Sequence, residues 1–71
     1  MSSSERCWLI EEVVRVLEEC IDRIDELQRR IELAPQRLRS RLYWVHRELE
    51  EIRSLVVEAR MKAVAARVKA V

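Results

Sequence analysis

Glycine is absent from this 71-residue chain, and proline and histidine occur once each. Without glycine, no Gly-rich loop is available to cradle a phosphate, which excludes nucleotide-binding motifs of that kind. The two cysteines, Cys7 and Cys20, are too few for a disulfide scaffold. On one helix they lie roughly 20 Å apart, beyond disulfide reach. One histidine, His46, with two separated cysteines gives no four-ligand zinc set within a chain. Adjacent acids such as Glu11–Glu12, Glu18–Glu19 and Glu50–Glu51 do not repeat the Glu-x-x-His spacing of di-iron bundles. A Cys–His nucleophile could use only Cys20, and Cys20 is expected to point into the core as an inert thiol. We therefore expect no enzyme, no cofactor and no metal.

Long apolar runs are lacking too. No stretch approaches the ~20 apolar residues that cross a bilayer. Glu5, Glu11 and Glu12 interrupt the first segment before any leader-like apolar core forms, so no secretory leader is expected. A reducing, cytoplasmic setting follows as the default expectation. The net charge is only +1, which gives no overall bias toward nucleic acid or an anionic membrane.

What the chain does have is charge and aliphatic residues in register. Charged residues make up 38%, hydrophobic residues 49% and aromatics only 4%. That is the profile of a long-helix or coiled-coil chain, not of a sheet protein. One apolar stripe runs Ile10, Val13, Leu17, Cys20, Ile24, Leu27, Ile31. A second runs Leu38, Leu42, Val45, Leu49, Ile52, Val56, Ala59, Ala63, Ala66, Ala70. Both alternate steps of three and four, which keeps one side of a helix toward a partner helix.

Pro35 separates the stripes. It removes an amide donor and pushes Ala34 out of the helical region, and proline is welcome at the first position of a helix. The pattern predicts helix 1 over about 4–33, a turn at about 34–35 and helix 2 over about 36–70, in a single domain. Ser2 and Glu5 have the spacing of a capping box at the start. A reversal at Ala34–Pro35 places Ile31 near Leu38, Ile24 near Val45, Leu17 near Ile52 and Ile10 near Ala59. The end of helix 2 then projects toward or past the start of helix 1. The competing architecture is one long kinked helix, since the stripe also reads across the proline as Ile31, Ala34, Leu38, Leu42. An interior proline costs ~3 kcal/mol or more, which favours the hairpin.

Charge divides between the two halves. Residues 1–34 carry nine acids against five arginines, and residues 35–71 carry nine bases against four acids, giving −4 and +5. Complementary halves favour pairing of the first helix with the second.

From Val57 onward helix 2 has two apolar faces. The alanine stripe continues on one side, and Val57, Met61, Val64, Val68 and Val71 make another. A helix apolar on two sides is normally sandwiched between neighbours. Trp8, Tyr43 and Trp44 fall off the seam and suit a subunit interface. The expected fold is thus all-α: a coiled-coil-like antiparallel two-helix hairpin that assembles with copies of itself into a symmetric helical bundle. A dimer to tetramer is expected, with a larger ring allowed. The interface would draw on Trp8, Tyr43, Trp44, Val57, Ala59, Met61, Ala63, Val64, Ala66 and Val68.

The expected function is a structural, self-assembling module. Strict heptads and absent glycine fit a designed origin, whereas the cysteines, the preference for Arg over Lys and the unidealised turn speak against one. The alternative is a small adaptor or nucleic-acid-associated protein using Arg37, Arg39, Arg41, Arg47 and Arg53 of helix 2. Glu48, Glu50, Glu51 and Glu58 interrupt that basic character, and no DNA- or RNA-binding motif accompanies it.

Overall fold

The computed structural model describes residues 3–70, and for Ser3 and Ala70 the backbone only. Ser2 of the expected capping box and Val71 of the second apolar face lie outside the described residues. Two helices, α1 (Ser3–Glu32) and α2 (Gln36–Ala70), pack against each other as an antiparallel hairpin. The molecule measures 54 × 15 × 14 Å. Its long axis matches a straight α2, whose 35 residues extend about 52 Å at 1.5 Å each.

The reversal is built without any left-handed residue among those described. Leu33 N–H donates to the Arg29 carbonyl at 3.0 Å, and Ala34 N–H donates to the Ile31 carbonyl at 3.2 Å. The second bond spans three residues, so the last turn of α1 tightens as it ends. Pro35 then caps α2 from outside: its carbonyl accepts from Leu38 N–H at 2.9 Å and Arg39 N–H at 3.0 Å. It stands one place earlier than the expected first helical position. The missing amide costs nothing there, because the first amides of a helix lack internal partners anyway. A turn of this form has no need of glycine, so its absence is no obstacle to the hairpin.

The seam is thin. Val14 at 6% and Ile24 at 8% exposure are the only buried hydrophobic residues among those described. On α1 the inward side runs Cys7, Ile10, Val14, Leu17, Ile21, Ile24, Gln28, Ile31, all buried or half-buried. Ile10, Leu17, Ile24 and Ile31 belong to the expected stripe. Val13, Cys20 and Leu27 of that stripe are exposed instead, Val13 by 50% and Leu27 by 46%. The apolar arc of α1 is wider than one neighbour can cover, and α2 covers the edge carrying Val14 and Ile21. Cys20 is therefore a surface thiol, not a core residue.

On α2, Leu42, Val45, Leu49 and Val56 are half-buried, as the stripe predicts. Leu38 and Ile52 are exposed, and so are Ala59 and Ala66. Farther on, the half-buried side comprises Val57, Arg60, Ala63, Val64 and Arg67. A heptad stripe drifts ~20° per repeat around a straight helix, so over several repeats the inward side walks off the alanine row. The second apolar face, through Val57 and Val64, thus takes part in the contact with α1.

The polar contacts across the seam join residues offset along the two helices. Glu18 reaches Arg60, about two turns along α2 from the residues expected opposite it, because both long side chains lean toward the N-terminus of their own helix and bridge the offset. Val14 and Arg67 line the same cleft. A heptad stripe superposes on itself after a shift of seven, so it constrains which sides face and not how far the helices slide.

Candidate interaction surface

Three polar side-chain contacts cross the seam at heptad intervals, two of them ion pairs of arginine with a carboxylate. His46 Nε2 lies 3.2 Å from Glu32 Oε1, Arg53 Nε donates to Asp25 Oδ1 at 2.7 Å, and Arg60 Nε donates to Glu18 Oε1 at 3.1 Å. The cations climb α2 in sevens while the acids descend α1 in sevens. Arg67 and Glu11 continue both series. The Arg53 and Asp25 side chains are each 42% exposed. The Asp25 hydrogen bond, and then its charge, raise Arg53 above the ordinary arginine range. Likewise Arg15 bridges Glu12 at 2.9 Å and Glu19 at 2.7 Å within α1, and the Glu12 hydrogen bond first, then both charges, raise it. Further pairs within helices join Arg30 to Glu26 and Lys62 to Glu58.

The ladder occupies one side of the hairpin only. Residues three and four steps beyond a seam position fall on opposite sides of it. On α2, Arg53 and Arg60 stand four beyond Leu49 and Val56, whereas Ile52 and Ala59 stand three beyond. On α1, Glu18 and Asp25 stand four beyond Val14 and Ile21, whereas Val13 and Cys20 precede those residues by one. Since the ion pairs join the two charged flanks, the two apolar flanks share the opposite side. That side carries Leu9, Val13, Val16, Cys20 and Leu27 of α1, whose Leu9–Val16 row continues as Arg23 and Arg30, with Leu38, Ile52, Ala59 and Ala66 of α2, all exposed. Leu55, 65% exposed, borders it on α2. Trp8, Leu9, Glu12, Val13, Val16 and Leu17 together line a shallow, almost wholly apolar groove there.

Of the other residues expected at an interface, Trp8, Tyr43, Trp44, Met61 and Val68 are well exposed. Val57, Ala63 and Val64 are half-buried in the hairpin itself. Met61 and Val64 instead line an open cleft on the charged side with Val14, Glu18, Arg60 and Arg67. Leu9, Val16 and Leu55 belong to the apolar side without lying on either expected seam. Leu9 and Val16 had a signal in the widened apolar arc of helix 1, and Leu55 had none.

The structure does not bring His46 and Cys20 together. His46 engages Glu32 and, through Nδ1 at 3.9 Å, Glu50. Cys20 lies on the other side of the seam. Among the described residues no group of three or more His, Cys, Asp or Glu side chains is arranged to hold a metal ion. Among them, too, no helix is long and apolar enough to cross a membrane. Compared with protein-family models, curated proteins and solved structures, the chain matches none.

Proposed function

We propose that this protein is a structural self-assembly module, a helical hairpin whose role is to join copies of itself into a bundle without catalysis. One observation carries the proposal. A compact monomer of 8.5 kDa exposes about 4,700 Å² by the usual size scaling, whereas this chain exposes 5872 Å². The difference, roughly 1,200 Å², is of the order each partner buries in a stable interface. Part of it sits on a contiguous apolar flank, which monomeric proteins rarely leave open to water. The assembly is a symmetric homo-oligomer of two to four hairpins. The two free cysteines suit a reducing, cytoplasmic setting.

Sedimentation equilibrium tests this. The expected mass is a small multiple of 8.5 kDa at micromolar concentration. A folded, stable monomer at every concentration would overturn the proposal.

A second reading has one observation in its favour. Arg37, Arg39, Arg41 and Arg47 are exposed near the turn and, among the described residues, enter no ion pair. Tyr43 and Trp44 are exposed beside them. An adaptor for nucleic acid would use this end, while Arg53 and Arg60 are already neutralised by α1. A salt-dependent shift of duplex DNA would support it, and no binding at low salt would remove it.

A further inference from the structure

Resting on the nucleic-acid reading of the turn end, we infer that its ligand is single-stranded nucleic acid, with unpaired bases stacked on Tyr43 and Trp44 and phosphates held by the arginines around them. The net charge of +1 conceals a division along the rod. Residues 29–47 hold six arginines against one acid, Glu32, so this end is +5 and the remainder of the chain −4. Glu32 is engaged by His46, and of the six arginines only Arg30, held by Glu26, enters an ion pair among the described residues. The next acids of α2, Glu48, Glu50 and Glu51, follow Arg47, and Glu50 lies toward His46.

Two flat rings stand within this positive field. Tyr43 is 68% and Trp44 67% exposed, so both rings are largely open to a ligand. Arg39, Tyr43 and Arg47 are four apart and form one row along α2, about 6 Å per step. Trp44 has Arg41 three residues before it and Arg47 three after. Each ring thus has an arginine about one turn to either side. Binding of single strands combines cations that follow the backbone with rings on which bases stack. A duplex hides the faces of its bases and leaves the two rings nothing to stack on. An anionic membrane would call for a broad apolar face opposite the cations, whereas these rings stand between them. Gln36, Arg39, Ser40 and Tyr43 line an open concavity that shares no residue with the apolar flank, so copies joined through the flank leave it open.

The experiment is fluorescence anisotropy of the intact chain with labelled oligo(dT) and oligo(U) of about twelve nucleotides, and with a duplex of equal length. Both single strands should bind comparably, and about tenfold tighter than the duplex. Tyr43→Ala/Trp44→Ala should weaken single-strand binding about tenfold or more and leave duplex binding unchanged, whereas Tyr43→Phe/Trp44→Phe should retain most of it. Arg39→Gln/Arg47→Gln should lower the slope of log affinity against log salt by about 1.4, at about 0.7 per phosphate contact. Duplex binding as tight as single-strand binding would overturn the inference and leave the nucleic-acid reading standing. No binding of either form at low salt would overturn that reading as well, and binding to phosphatidylserine vesicles instead would assign this end to a membrane surface. An equal loss from Lys62→Gln/Lys69→Gln, outside the patch, would show general attraction of a polyanion and also overturn the site. Circular dichroism checks that each variant remains helical; should the alanine pair not, the arginine variant carries the test through its salt slope, and an unchanged slope overturns the site.

Discussion

At the scale of single residues, burial and charge contribute very differently to this hairpin. The crossing pairs Arg53–Asp25 and Arg60–Glu18 are well wetted, and exposed ion pairs contribute little to stability. Their value is in position, because they meet only when the helices are in one register. Arg53 is raised in the folded state, so its share of stability is complete below the unfolded-state value and is lost only as pH climbs through the folded one. Mild alkali leaves that rung intact. Val14 and Ile24 are another matter, since each fills the thin seam. Ile24→Ala should destabilise by about 2–4 kcal/mol in urea denaturation at any protein concentration. Val13→Ala should cost well under ~1 kcal/mol at high dilution and more as concentration rises, because Val13 is covered only in an assembly. Equal, concentration-independent losses at both positions would show that Val13 is already buried within one chain. Neighbours in sequence, Val13 and Val14 differ only in which flank of an apolar arc they occupy. Composition and spacing could not rank them, since both are valines within the same periodic arc.

At the scale of elements, the break between the helices was legible in the sequence. Pro35 marks the turn by chemistry no other residue shares, and the helix limits lie within a residue or so of those read from the pattern. Ile10, Leu17, Ile24 and Ile31 were legible because one neighbouring helix buries the centre of their stripe. Ile52 and Ala59 were misplaced because a straight helix rotates its heptad positions away from the partner. The ladder was within reach of the sequence. His46, Arg53, Arg60 and Arg67 repeat by seven, as do Glu11, Glu18, Asp25 and Glu32. Matching those two series would have named the pairs that cross the seam. Pro35 also decides between folding back and running on. Replacing it with alanine removes an interior cost of ~3 kcal/mol from a continuous helix, along which Ile31, Ala34, Leu38 and Leu42 keep helical spacing. Pro35→Ala should therefore yield an extended population whose radius of gyration by small-angle scattering exceeds the hairpin's 16.3 Å. An unchanged scattering profile would mean that the seam and ladder alone enforce the reversal.

At the scale of the whole molecule, two faces of unlike character lie back to back. One is closed by charge, and the other is an open apolar flank. The alanines separate the two contacts the molecule makes. Ala63 is half-buried against α1, so Ala63→Leu should overpack the seam and lower the melting temperature at every concentration. Ala66 is exposed on the apolar flank, so Ala66→Leu should leave the dilute hairpin intact and change the mass or dissociation constant of the assembly. Identical behaviour of the two variants would contradict this division. The reversal has a mechanical consequence as well. Because the chain folds back at Pro35, the start of α1 and the end of α2 leave the rod from the same extremity. A pull applied there loads the contacts one after another, as in a zipper, and not all together as in a lap joint. Resistance at any instant then comes from a single heptad with its one ion pair, so the hairpin should peel open under small tension in steps of one repeat.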